Sequence, residues 1–396
     1  MTDSRANGLT ERGILMVMYS LSQGGADRVA VLLANGFARA GIPTRIALMR
    51  DIAGSQPEIR AMLDPAVDVA SAGPALGLPL SREGPALGHR HLERARGVRF
   101  VRSQIAAHSP AVVLAPTDNM GLITALSRRR GQGEPLFVMK LTNALFRPGS
   151  GALKTLYRRR LFDFIFKRLD LVLTLSDAEQ RQLAGLYPDR APIFRTVPNP
   201  YISPEMMADR SSLDHSGPPR LLAAGRMVAQ KRFDLLLDAF ARVAHRDARL
   251  TILGDGPLRP SLETQARSLG IAERVEMPGY SGDVLSHLRR SDLFILSSDY
   301  EGLPAVVLEA LASGVPVVTT DSFLASRELL GAAPACEVVP IRDPGALAAA
   351  IDRSLAAKPK RDDLQKLAEP YRVDVAIAAH IDALSRLVEE RQAAAA

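Results

Sequence analysis

Between residues 293 and 320 the chain spells out one complete strand–loop–helix–strand unit, and no other stretch constrains the fold as tightly. Residues 293–296 are a short apolar run suited to a buried strand. Ser297, Ser298, Asp299 and Gly302 supply the loop after it. Pro304 fits the first turn of a helix, where a missing N–H costs nothing. That helix runs to about residue 313, and Gly314 with Pro316 stops it. Residues 316–320 are the next strand. Glu301 projects from the loop and Glu309 lies over a turn into the helix. Free N–H groups at the helix start, with the positive end of its dipole, suit an anionic ligand.

The same alternation runs along the chain. Strands are predicted at residues 14–19, 44–49, 111–115, 136–141 and 171–175, and again at 221–224, 250–253 and 337–339. Helices are predicted at residues 27–40, 89–107, 154–168 and 373–390. Strands and helices alternating in two separate halves predict an α/β protein with two doubly wound parallel sheets. Ligands in such folds bind at the carboxyl ends of the strands, and two such domains facing each other make a cleft.

The 396 residues suffice for two domains of ordinary size. A single cysteine, Cys336, excludes a disulfide framework and fits a reducing cytoplasm. Residues 14–18 are too short for a signal-peptide core, and no run of roughly 18 apolar residues predicts a membrane span. The net charge of +7 is uneven. Residues 1–200 hold 27 Lys+Arg against 16 Asp+Glu, whereas residues 201–396 hold 23 against 27. Residues 82–168 alone hold 17 basic and 5 acidic residues. A local basic face points to an anionic partner: a membrane surface, a phosphorylated acceptor or nucleic acid.

Three glycine-bearing turns follow predicted strands. Gly24 and Gly25 let backbone N–H groups approach a phosphate or sugar closely. They form no G-x-G-x-x-G fingerprint, and none occurs elsewhere. Gly225, Arg226 and Lys231 lie between a strand and a helix. An arginine fork and a lysine point charge suit phosphate oxygens there. Gly254 follows the same pattern, although a tight turn needs no ligand to explain such a glycine.

These runs together resemble the family 4 glycosyltransferases. Glu301-Gly302-Leu303-Pro304 through Glu309 to Gly314 and Pro316 is similar to that family's E-x7-E signature. Gly225-Arg226 with Lys231 is similar to its Gly-Arg…Lys-Gly run, with Arg232 in place of the last glycine. Gly24-Gly25-Ala26-Asp27-Arg28-Val29 resembles its N-terminal glycine loop, with Asp27 in place of the usual glutamate. The resemblance implies the GT-B fold. It implies an acceptor-side domain over residues 1–200 and a nucleotide-sugar domain over residues 201–372. It also implies a last helix, residues 373–390, packed back on the first domain.

It further implies transfer of a sugar, with retention, from a nucleotide-diphosphate donor such as a UDP- or GDP-sugar. The donor would be a substrate, with no cofactor and no metal. Arg226, Lys231 and the helix after Pro304 would stabilise the leaving diphosphate. Glu301 would meet the sugar and Glu309 the ribose. Gly24, Gly25, Gly225, Gly254, Gly279, Gly302, Leu303 and Pro304 would line the donor. The acceptor would be lipid-linked or an oligosaccharide, as in bacterial cell-surface polysaccharide assembly. The setting would be the cytoplasm, at the inner face of the membrane, with no nucleic-acid partner. Rivals on the same fold are a nucleotide-sugar epimerase and a non-catalytic nucleotide-sugar-binding protein.

One departure concerns the acceptor side, where Asp118, Thr142 and Asn143 are the candidates. Many family members have His-Asn after the strand at residues 136–141, and here Thr142 replaces the His. The next helix, residues 154–168, predicts a buried stripe of Leu153, Leu156, Tyr157, Leu161, Phe164 and Ile165, with Phe162 and Phe166 exposed. Its basic residues Arg158 and Arg159 suit either a solvated face or a membrane surface.

Overall fold

Strand β1, Ile14–Met18, is buried at every residue, so both its faces must be covered by other elements. The structure, a computed structural model, describes residues 7–21, 25–50, 57–73, 87–129, 131, 134–146, 151–207, 217–357 and 359–395. The chain divides into two units. Met1–Pro200 with Asp374–Ala396 forms the first, and Tyr201–Val373 the second.

In the first unit β1 is followed by α1 (Gly25–Arg39), β2 (Thr44–Leu48), β3 (Asp68–Ser71), α2 (Leu87–His108) and β4 (Val112–Ala115). Then come α3 (Gly121–Ser127), β5 (Leu136–Lys140), α4 (Ala152–Phe166), β6 (Leu171–Thr174), α5 (Asp177–Leu186) and β7 (Phe194–Thr196). All pairings are parallel, in the order β3-β2-β1-β4-β5-β6-β7. The winding reverses between β1 and β4, which opens a crevice above their carboxyl ends.

In the second unit the elements are β8 (Arg220–Ala224), α6 (Phe233–Phe240), β9 (Arg249–Leu253) and β10 (Val275–Gly279). They continue with β11 (Leu293–Leu296), α7 (Ala305–Ala312), β12 (Val317–Thr320) and β13 (Glu337–Val339). The sheet order is β10-β9-β8-β11-β12-β13, again parallel, with the reversal between β8 and β11. Leu221 pairs with Leu293 and Leu222 with Phe294 at that junction.

Helix α8 (Val373–Ala395) packs on the first unit. Arg391 bonds Asp170 at 2.8 Å. A Cβ at Gly36 of α1 would lie 2.4 Å from Ile377, so the two helices touch only because that position is glycine.

Helix α4 departs from the expected stripe. Phe162 and Phe166 are buried, while Leu153, Leu156 and Tyr157 are 85%, 54% and 67% exposed. The C-terminal turns decide its rotation. Phe166 meets Tyr187 and Phe194 edge-on, each at 5.1 Å between centroids, and such pairs favour burial of the ring beyond its area alone. The N-terminal turns extend past that aromatic cluster, so their apolar residues stay exposed.

Candidate active site

Both loops of the site stand at the reversal point of the second sheet. One follows β8 and the other follows β11. Gly225 has φ +155° and donates its N–H to the Leu253 carbonyl at 2.9 Å. A Cβ on Gly254, φ +124°, would lie 2.0 Å from the Gly225 carbonyl oxygen. Two strand ends therefore come together as bare backbone. Gly254 in turn donates to the Gly279 carbonyl at 2.8 Å.

The Lys231 side chain lies across Gly225, with Cε 3.0 Å from where a Cβ would stand. Its Nζ donates to Glu301 Oε1 at 2.7 Å, and Ser298 Oγ donates to the same oxygen at 2.6 Å. Both charged side chains are mostly buried, so this pair is desolvated and directional rather than a loose surface contact. The two loops are also stitched through backbone. The Asp299 N–H donates to the Gln230 carbonyl at 2.9 Å, and Gln230 Nε2 donates to the Tyr300 carbonyl at 2.7 Å. Ser297 Oγ donates to the Lys231 carbonyl at 2.8 Å. The Glu301 N–H donates to the Ser322 carbonyl at 2.7 Å. Gly302 is half-buried, while Leu303 and Pro304 are buried at the entry to α7. Glu309 is half-buried in that helix, and Arg226 is exposed.

Arg232 occupies the left-handed region, φ +49° and ψ +43°. Its guanidinium bonds Asp234 at 2.9 Å and Asp299 at 3.3 Å. Arg342, also left-handed at φ +61°, takes both oxygens of Asp299 at 3.1 and 3.0 Å. The Arg342 hydrogen bonds, then the charges of both guanidiniums, hold the Asp299 carboxyl below its ordinary range despite partial burial.

In the first unit the structure brings Asp118, Thr142 and Asn143 together. Thr142 Oγ1 donates to Asp118 Oδ1 at 2.5 Å, and Asn143 Nδ2 donates to Thr142 Oγ1 at 3.4 Å. Gly25 opens α1 and is exposed, with nothing within 4 Å of its absent Cβ. Gly24 lies outside the described residues.

Sequence reasoning missed three buried ionisable groups close by. Lys140 ends β5 with no exposed surface and donates to the Val197 carbonyl at 3.2 Å. Burial pushes its pKa down to about 7, against the opposing charge of Glu179. Burial raises Glu179 to about 7, although the Leu175 N–H donates to it at 2.9 Å. His380 of α8 is fully buried and held well below its ordinary pKa by desolvation and then by the Lys140 charge. Its Nδ1 pairs with the Ala376 carbonyl at 2.7 Å, and Nε2 has no hydrogen-bond partner among the described residues. The only local signal was Glu179 three residues after Ser176. Ser176 Oγ accepts from the Glu179 N–H at 3.2 Å, but the glutamate reaches Leu175 rather than the cap residue itself.

Among the described residues no cluster of three or more His, Cys, Asp or Glu could hold a metal ion, and no helix is long and apolar enough to cross a membrane.

Comparison with known proteins decides the family. Residues 24–200 match the family described as "Glycosyl transferase 4-like domain", and residues 207–370 match "Glycosyl transferases group 1". The chain is a group 1 glycosyltransferase. LpsE of Rhizobium meliloti, a lipopolysaccharide core biosynthesis glycosyltransferase, is 39% identical over 115 residues, 29% of this chain and 33% of that protein. A relative from Campylobacter jejuni is the N-acetylgalactosamine-N,N'-diacetylbacillosaminyl-diphospho-undecaprenol 4-alpha-N-acetylgalactosaminyltransferase. It is 25% identical over 213 residues, 53% of this chain and 57% of that one. The glycosyltransferase thus spans less than two thirds of these curated relatives. Among solved structures, the apo lipopolysaccharide outer core galactosyltransferase WaaB superposes with TM-score 0.74 at 17% identity, covering 94% of this chain and 99% of that one. HepE of Anabaena in complex with UDP superposes with TM-score 0.66 at 20% identity, covering 96% and 100%. At these identities the likeness is one of fold, and the fold is GT-B.

Proposed function

We propose that the chain transfers a sugar, with retention, from a nucleotide-diphosphate donor to a lipid-linked or saccharide acceptor. The single observation that carries this reading is the mostly buried Lys231–Glu301 pair at the carboxyl ends of β8 and β11, 2.7 Å apart. It sets one cation and one carboxylate where the winding of the sheet reverses, the place such folds bind nucleotides.

The chemistry follows from the charges. As the bond from the anomeric carbon to the diphosphate oxygen breaks, its electron pair leaves with the diphosphate and positive charge grows on the sugar. Arg226 and Lys231 stabilise the departing anion, together with the N-terminus of α7. Glu301 faces the sugar, where a carboxylate favours the growing positive charge. Glu309 accepts the ribose hydroxyls. The bare backbone at Gly225, Gly254 and Gly279 leaves room for the donor, and Gly302, Leu303 and Pro304 shape the wall beside it. The acceptor hydroxyl bonds to the anomeric carbon from the face the diphosphate leaves, and its proton passes to a diphosphate oxygen. On the acceptor side, Asp118, Thr142 and Asn143 orient that hydroxyl, and Gly24 with Gly25 belongs to the donor loop of the first unit.

The donor class is supported by HepE, whose structures hold UDP and UDP-glucose. The acceptor class is supported by the Campylobacter relative, whose name specifies a diphospho-undecaprenol-linked sugar. The basic stretch of the first unit suits work at an anionic membrane surface.

The test is a panel of UDP- and GDP-sugars scored first for thermal stabilisation and then for released nucleoside diphosphate. Stabilisation with release supports transfer. Stabilisation with interconversion of the sugar and no release indicates an epimerase, and stabilisation with neither indicates a binding protein.

A further inference from the structure

We infer that a cavity at the amino ends of the first unit's strands binds the phosphate of a small phosphate ester, at a site separate from donor and acceptor. The cavity holds about 250 Å³ where the chain enters β1, β4 and β5, beside the last turns of α2 and α3. Clefts for drug-sized ligands run to roughly 300–1,000 Å³, so its occupant is smaller than a nucleotide sugar. It lies at the wrong edge of the sheet for the transfer reaction, because folds of this kind gather their substrates at the carboxyl ends. Strand β5, five residues long, sets Phe137 of the cavity about 16 Å from Thr142 beyond its other end.

Three guanidiniums line the cavity, Arg12, Arg102 and Arg129, against one carboxylate, Glu134. Two positive charges are in excess, and a phosphate monoester carries up to two negative ones. The arginines are oriented without being neutralised. Arg12 Nε donates to the Ser109 carbonyl at 3.0 Å and its Nη2 to the Pro110 carbonyl at 3.1 Å. Arg102 Nε donates to the Ser127 carbonyl at 3.3 Å and its Nη2 to the Leu126 carbonyl at 2.8 Å. A carbonyl fixes a guanidinium but brings no net charge, so each stays fully cationic with its side-chain freedom already lost. Arg128 shows the contrast, since both oxygens of Asp170 close on its guanidinium at 3.1 Å. Among the described residues, no ion pair joins Glu134 to Arg102 or Arg129. Ile105, Pro135 and Phe137 add apolar walls. Free phosphate would leave those walls in water, whereas the carbon skeleton of an ester covers them.

The experiment measures binding of phenyl phosphate, inorganic phosphate and phenol to the full chain by calorimetry. Phenyl phosphate should bind at least about tenfold more tightly than either fragment, and its affinity should fall with added salt. Arg129→Gln should weaken it by roughly tenfold, because a charge-assisted donor is lost. Glu134→Gln should tighten it by roughly fivefold, because the one opposing charge is gone. Both variants should keep the melting temperature and the donor turnover of the parent. A gain in affinity is a change that damage to the fold does not produce. Inorganic phosphate binding as tightly would reduce the cavity to a bare anion site, and phenol binding as tightly would reduce it to an apolar patch. Unchanged affinity in both variants would take the phosphate out of this cavity, and loss of binding in Arg226→Ala would put it in the donor site. No binding at all would empty the cavity. Each of these outcomes overturns the inference, and none of them touches the transferase reading.

Discussion

Arg232 stands where the family's run resembled by this chain has glycine, and its φ of +49° shows why glycine suits the position. A side chain in the left-handed region costs roughly 1–2 kcal/mol. The ion pairs with Asp234 and Asp299 offset that cost and tie the β8 loop to the stretch that carries Glu301. Asp299→Asn should therefore lower the melting temperature by a few degrees and lower kcat, measured by thermal unfolding beside steady-state kinetics. An unchanged kcat would remove Asp299 from the positioning of Glu301. The two glutamates should separate kinetically. In the proposed reaction the ribose on Glu309 stays bound throughout, so Glu309→Gln should mainly raise the donor KM. Glu301→Gln should mainly lower kcat with nucleotide affinity nearly unchanged, because its carboxylate matters as charge develops. Free-nucleotide binding measured beside the kinetics decides the matter, and the opposite pattern would swap the roles. Glu301 and Lys231 were legible in the sequence because their motif is local. The clamp of Arg342 on Asp299 was not, because it joins residues 43 positions apart that no periodicity links.

At the scale of elements, the buried apolar strands and the edge strand β13 were legible, whereas the edge strands β3 and β10 were not. The fully buried strands β1, β4, β5, β6, β11 and β12, and β8 after its exposed Arg220, are short apolar runs and read plainly. Strands β3 and β10 lie at the sheet edges. There Asp68, Glu276 and Pro278 are exposed and break the apolar pattern, as edge strands commonly do. The rotation of α4 was misjudged because its apolar residues outnumber the positions its sheet can cover. The buried triad linking β5, α5 and α8 carries a pH signature. The Lys140 pKa is depressed to about 7, so between there and its ordinary value the unfolded chain binds more protons and stability rises with pH. The depressed His380 acts in the same sense at lower pH, up to its ordinary value. The raised Glu179 acts oppositely, losing stability as pH climbs to about 7. From about pH 7 to 9 the Lys140 slope stands alone among the three, at most about 1.4 kcal/mol per pH unit. Urea unfolding across that window should show the rise in the parent chain and its absence in Lys140→Met. Parallel curves would remove Lys140 as its source. Helix α4 carries a separate expectation. Replacing Arg158, Arg159 and Arg160 by Gln should weaken sedimentation with acidic vesicles, and binding by the parent chain should fall with salt. Equal binding to neutral vesicles would make α4 an ordinary solvated face.

At the scale of the molecule, each unit winds its sheet in two directions from a central pair of strands, β1 and β4 in one and β8 and β11 in the other. Each gathers its polar machinery above that pair. The first unit draws on the basic half of the chain, with 27 Lys+Arg against 16 Asp+Glu over residues 1–200. That balance suits the proposed anionic acceptor, whereas the proposed donor site of the second unit needs only a few well-placed cations around one diphosphate. The account therefore stands or falls on those cations. The most direct measurement is release of nucleoside diphosphate from the preferred nucleotide sugar, with EDTA present, by the parent chain and by Arg226→Ala. The account predicts full turnover in the parent and a loss of roughly a hundredfold in the variant, the typical consequence of removing one donor to a developing anion. Full turnover in Arg226→Ala, or a parent chain silenced by EDTA and restored by a divalent metal, would contradict it.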